Sequence, residues 1–185
     1  RIKSAEVVIG DETGNVRASF WGAASELVQK IQPNDVVLLR NAYSRTGLGG
    51  RVEVHTGGAT RVEVNPSGVS VGEPKSGPLK IGKIEPNMDA VEAVGRATEV
   101  MGPREFTRPD GRKGKVASII IGDETGTLRV SLWHEQADKA GEIKAGDVLR
   151  LTNCYSTLGL FGQPELHLGM HGHIEINAAE EGLPP

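Results

Sequence analysis

The 185-residue sequence is short of several things. It has one cysteine, Cys154, which excludes a disulfide framework or a cysteine-rich zinc site within the chain. Aromatic residues are scarce: two Trp, two Tyr and three Phe, so each position carries information. No apolar run approaches the length of a membrane span, and no stretch has the order of a signal peptide. No membrane partner is therefore expected. Positive charge is not in excess either. Lys and Arg number 21 against 24 Asp and Glu, a net charge of −3. That argues against bulk electrostatic adhesion to duplex DNA, though not against a local basic groove.

What is abundant is glycine, 25 residues, which fits short strands and tight turns better than helices. The organising feature is the hexapeptide IGDETG followed by a Trp. It runs from Ile9 to Gly14 with Trp21, and again from Ile121 to Gly126 with Trp133. The offset of 112 holds without a gap from Lys3/Lys115 to Asn65/Asn177. Over residues 1–65 against 113–177, 26 of the 65 pairs are identical, so the chain is an internal duplication. A repeat of that length is a small domain rather than a solenoid unit.

Residues 3–9 and 115–121 are β-branched and end at a Gly-Asp turn, which predicts strands. Asp11–Gly14 and Asp123–Gly126 read as hairpin turns. In the next strand Val16, Ala18 and Phe20 alternate with Arg17, Ser19 and Trp21. Its second copy alternates Leu128, Val130 and Leu132 with Arg129, Ser131 and Trp133. One face is apolar, and the other carries Arg, Ser and Trp. Helices are predicted over 23–31 and 135–143, and strands over 36–43 and 148–155. Gly-rich loops follow at 46–50 and 158–162, then a last, Gly-broken strand region at 52–64 and 165–176. The Pro-, Gly- and Ser-rich stretch 67–78 reads as a linker, and 178–185 as a tail.

Residues 79–112 have no counterpart in the first copy. Within them, 80–86 reads as extended, 88–106 as a long first strand and 107–114 as a basic turn. Strand, strand, strand, helix, strand, strand is the plan of an OB-fold barrel. The expected fold is thus all-β: tandem five-stranded OB barrels at 1–66 and 79–177, the first lacking its opening strand. Truncation of a longer chain and a strand supplied by another chain both explain that lack.

Arg104 to Trp133, with its D-E-T-G turn and Trp-ended strand, resembles the single-stranded-DNA-binding OB domains of archaeal replication protein A. Lys3 to Trp21 carries the same pattern. The resemblance covers about 1–65 and 79–177. It implies a cytoplasmic, nucleoid-associated protein that protects single-stranded DNA in replication, repair and recombination. It also implies further replication protein A subunits or OB-folds as partners, and no cofactor. A base-stacking role is implied for Trp21 and Trp133, and a second stacking aromatic in the loop between strands four and five. Phe161 stands there in the second copy and Gly49 in the first.

Beside the Trp face, Arg17 and Arg129 are candidates for phosphate or base contact. Lys3 and Lys115, with Arg1 and Lys113, flank the first loop, and Arg108 and Arg112 lie in it. Arg40, Arg45 and Arg51 are further candidates in the first copy only. Tyr43 and Tyr155 fit a core plug and a ligand contact equally. Asn41 and Asn153 read as turn or bulge residues, and Cys154 as a small core residue. Asp11-Glu12 and Asp123-Glu124 pair carboxylates, but no nucleophile or His recurs beside them, so no catalytic site is expected. Of His167, His171 and His173 only the first is matched, by His55, which argues against a metal site. A protein-assembly module with weak nucleic-acid binding and an RNA-binding OB module remain alternatives.

Overall fold

A computed structural model of the chain describes residues 3–47, 51–74 and 77–178. The chain divides into two compact units, Arg1–Ser76 and Gly77–Pro185. Arg1, Gly49 and the tail beyond Ala178 lie outside the described residues.

The first unit contains β1 (Ser4–Gly10), β2 (Asn15–Trp21), β3 (Val37–Arg40), β4 (Tyr43–Thr46), β5 (Val52–His55) and β6 (Arg61–Val64). The second contains β7 (Val91–Thr107), β8 (Lys113–Asp123), β9 (Gly126–Trp133), β10 (Val148–Leu158), β11 (Pro164–Leu168) and β12 (His173–Ile176). Its sheet runs β11-β9-β8-β7-β10-β12, and an extra β10–β11 pairing closes it into an OB barrel. The alternation of β9 sets the inside and the outside. Leu128, Val130 and Leu132 are at most 5% exposed and pack with Ile119, Ile121, Leu149, Leu151, Leu166 and Leu168. Each such side chain contributes about 1.5–3 kcal/mol by burial. Cys154 joins this core, and burial pushes its thiol up to about 12.

The first unit repeats the plan with β3 and β4 together in the place of β10, and among its described residues no strand corresponds to β7. Its sheet β1-β2-β5-β4 is separate from the ribbon β3-β6. In the second unit β7 bridges β8 and β10. No described residue takes that place between β1 and β3, and a cleft of about 1260 Å³ opens along β1 instead. Val71–Pro74, read from sequence as linker, line this cleft.

Several expectations need correction. The segment expected to be helical at 135–143 is a run of 3₁₀ turns, His134–Glu142. Its apolar residues Ala137, Ala140 and Ile143 recur every third residue, the spacing that aligns on a 3₁₀ face rather than an α one. In the first copy only Ala24–Leu27 is α-helical, followed by a 3₁₀ turn at Val28–Lys30. Residues 80–86, expected extended, hold a 3₁₀ turn at Ile81–Lys83. The strand expected over 36–43 breaks into β3 and β4 at Asn41.

Left-handed backbone stands at that break, and it repeats at the offset, where β10 continues through Asn153 with a register shift between Leu151 and Cys154. Asn41 and Asn153 have φ of 57° and 56°, Asn65 and Asn177 51° and 56°. Asn34 pairs with Gly146 and Gly22 with His134 in the same region. Asn visits this region more readily than most residues, and the Asn65 side chain is held there from the loop ahead of β3: it accepts from the Val36 N–H and donates to Asp35. His134, at φ 57°, is the unfavourable residue of the set, and the first copy places Gly there at φ 60°. His134→Gly should therefore raise the unfolding free energy by about 1 kcal/mol, seen as a higher melting temperature. A lower melting temperature would mean that the imidazole makes a stabilising contact.

Candidate nucleic-acid interface

The outward face of β9 meets the outward faces of β11 and β10, because β11 lies between them in the sheet. Trp133, His167 and Tyr155 consequently form a row across three strands. The indole Nε1–H of Trp133 donates to His167 Nδ1 at 3.0 Å. The two rings are 24° from parallel with centroids 6.1 Å apart. Tyr155, directly opposite His167 in the register, lies 4.9 Å away at 15°. The first unit repeats the row on β2, β5 and β4. Trp21 Nε1–H donates to His55 Nδ1 at 3.1 Å, and Tyr43 lies 5.6 Å from His55 at 18°. Both histidines are buried, whereas Trp21 is 42% exposed and Trp133 half-buried.

The second unit adds two aromatics. Phe106, at the end of β7, meets the Trp133 ring edge-on at 6.1 Å and 80°. It lies across Gly114, where a Cβ would come within 2.4 Å of the Phe106 ring, so a side chain there would displace the ring from this position. Phe161 stands at the tip of the β10–β11 loop and is 90% exposed, beside the fully exposed Leu160.

The candidate cations are mostly engaged within the protein. Lys3 pairs with Glu26 at 3.3 Å, and its equivalent Lys115 with Asp138 at 2.7 Å. That hydrogen bond, with the Asp138 charge, raises the ordinary value of the Lys115 ammonium. Arg17 is less accessible than its strand position implies: its side chain is 14% exposed and pairs with Glu6 across the hairpin. Arg129 donates to Ser118 and sits 3.6 Å from Glu165. Arg112 is paired with Asp110, and Arg40 with Glu63. Arg45 covers the Tyr43 ring at 5.5 Å, extending the first unit's aromatic row with a cation. Arg108 lies in the β7–β8 loop, Lys113 at the start of β8 and Arg51 just ahead of β5.

The acidic pairs build turns. Asp11 accepts from the Thr13 hydroxyl and from the Thr13 and Gly14 N–H groups, which lowers its carboxyl. Asp123 does the same for Thr125 and also accepts from the Ile81 N–H at 2.9 Å. Burial pushes the Asp123 carboxyl up, but these bonds together outweigh it and leave it lowered. The residues that sequence reasoning missed as parts of the site are His55, His167 and Phe106. The two histidines carried a signal, since Trp, His and Tyr all recur at the offset of 112. Among the described residues no group of three or more metal-ligating side chains converges.

None of the protein-family models compared matches the chain. The chain is 34% identical over 153 residues to Replication factor A of Methanothermobacter thermautotrophicus, covering 80% of this chain and 19% of that one. It is 33% identical over 105 residues to Single-stranded DNA binding protein Ssb of Saccharolobus solfataricus, covering 57% of this chain and 67% of that one. It thus spans about a fifth of the length of the first relative. A solved replication protein A heterotrimer bound to ssDNA matches with a TM-score of 0.50. That match covers 98% of this chain and 45% of that one at 18% identity, a likeness of fold alone.

A carboxyl held below its ordinary value favours the fold above that value, and the benefit is lost as pH falls through the folded value. Asp123→Ala should therefore lower the unfolding free energy by about 1–2 kcal/mol at neutral pH. The penalty should shrink in acid. Urea titrations at both pH values check this; an equal penalty at both would remove the charged form from the account.

Proposed function

The chain belongs to the family of archaeal replication factor A and related single-stranded DNA binding proteins, and from that premise we propose that both units bind single-stranded DNA with little sequence preference. The observation that carries the reading is the repeated Trp-His-Tyr row, laid across the outward face of three strands in each unit. Every base has a π-face, so stacking on such rings is sequence-tolerant and contributes about 1–3 kcal/mol per base. Trp21 and Trp133 are the central stacking groups, with Tyr43 and Tyr155 beyond the histidines. Phe161 is free to close over a base from the loop, since its ring is almost entirely exposed.

The cations have a secondary place. Exposed ion pairs contribute only about 0–1 kcal/mol, so a phosphate can replace Glu26 at Lys3 or Asp138 at Lys115 at little cost. The second unit is the stronger binder, with Phe106, Trp133, Tyr155 and Phe161 against Trp21 and Tyr43 in the first. The role is protection of exposed single strands in replication, repair and recombination, alongside further replication protein A subunits or OB units. It is a binding role rather than an enzymatic one, because the paired carboxylates are spent on turns. The pairing of Lys3, Arg40, Arg112 and Lys115 favours a second reading, an assembly module with weak nucleic-acid binding.

Titration of the full chain with oligo-dT, oligo-rU and duplex DNA decides between them. Phe161→Ala should weaken oligo-dT binding by about 1–3 kcal/mol while stability stays within about 0.5 kcal/mol. Trp133→Ala should weaken binding similarly and also lower stability, since Trp133 contacts Phe106 and His167. Binding that is unchanged in both variants would favour the assembly module.

A further inference from the structure

Each indole in the aromatic row is bonded edge to edge rather than stacked. With the donor and acceptor nitrogens 3.0–3.1 Å apart and the planes within 14–24°, centroid separations of 6.1–6.2 Å place Trp and His side by side in nearly one plane. Each His is buried with Tyr stacked on its ring, so it grips the indole by the edge while the indole keeps exposed surface. A Trp at the end of a strand would otherwise rotate about two side-chain bonds and lose that freedom when a base stacks on it.

We propose that His167, and His55 in the first unit, are positioning residues: each accepts the indole N–H on Nδ1 and holds the Trp in its base-stacking plane before DNA arrives. The proposal rests on the single-strand-binding reading for its consequence, but not for the hydrogen bond itself. It fixes the tautomer. Nδ1 carries no proton, so the ring proton of the neutral imidazole is on Nε2. At His167 that Nε2 faces Thr157 Oγ1 at 2.8 Å, and the proton is donated there. At His55 the equivalent of Thr157 is Arg45, and Nε2 finds no aligned acceptor, only a Glu53 carboxylate oxygen at 3.4 Å. The clamp is therefore bonded at both ring nitrogens in the second unit and at one in the first. The second unit's indole is the better preorganised of the two.

The test separates the acceptor from the ring. His167→Asn keeps an acceptor, since Asn Oδ1 occupies the place of His Nδ1 on the same stem, but loses the ring. His167→Phe keeps a ring next to Tyr155 but loses the acceptor. In the ¹⁵N-labelled full chain without DNA, the wild type should show a Trp133 Nε1 to His167 Nδ1 coupling across the hydrogen bond. Its indole proton should exchange slowly, as in His167→Asn, and exchange should accelerate in His167→Phe. Affinity for oligo-dT should then be close to wild type in His167→Asn and about 3- to 10-fold weaker in His167→Phe, with melting temperatures recorded for both. No coupling and fast exchange in the wild type would overturn the proposal. So would equal affinity of His167→Phe and wild type, or an equal loss in both variants, which would assign the effect to the ring. If the wild type shows the coupling yet binds no oligo-dT, the hydrogen-bonded clamp stands and the single-strand-binding reading fails.

Discussion

A strand has two faces, and in each unit the third strand of the OB plan must spend one on the core and the other on the ligand side. In β9 the inward residues Leu128, Val130 and Leu132 lose nearly all contact with water, and Trp133 is one step further on the opposite face. A shift of one residue in the β8–β9 register would exchange the two sets. The D-E-T-G turn prevents that shift. Asp123 closes the hairpin by accepting from Thr125, and Gly126 follows at φ 155°, a conformation open to glycine. The register then fixes Trp133 opposite Val116, and the parallel pairing with β11 brings His167 beside it. The aromatic row is thus a consequence of turn chemistry seven or more residues away.

Much of this was legible. The duplication, the hairpin turn, the two faces of the third strand and the turn or bulge role of Asn41 and Asn153 all follow from the sequence pattern. The membership of the row did not, because Trp133, Tyr155 and His167 are far apart in sequence and meet only through the strand order β9-β11-β10. The clue present in sequence was recurrence. His55 and His167 repeat with their Trp and Tyr, but an isolated His suggests metal or core before it suggests a partner for an indole. The 3₁₀ segment was misread for a different reason. The short stretch expected to be helical is packed by Ala137 and Ala140, too small to impose an α period.

The electrostatics are also local. Lys3 and Lys115 occupy equivalent places and each finds a carboxylate on the following helical segment, Glu26 or Asp138, again at the offset of 112. Sequence reasoning counted the cations and overlooked their partners 23 residues away. An acidic protein with its cations paired attracts DNA weakly at long range, and so depends on contacts made after encounter. On the proposed reading that shifts the weight of recognition from charge to stacking, and makes the orientation of a few rings matter more than the net charge of the chain.

The two copies show what the scaffold allows once the register is set. The backbone repeats at four left-handed positions, 22/134, 34/146, 41/153 and 65/177, yet the second copy accepts His134 where the first has Gly22, and Thr157 where the first has Arg45. The first exchange bears on stability and leaves the row intact. The second falls within the row: Thr157 gives His167 a hydroxyl to bond, whereas Arg45 lies over Tyr43 and leaves His55 Nε2 without an aligned partner. One unit therefore gains order in its rings and the other gains a cation over them. On the proposed reading, stacking on a fixed ring and attraction to a cation lying over a ring are different ways of holding the same kind of strand. A chain carrying both would then hold it by unequal grips, the tighter one resting on ring order and the looser one on charge.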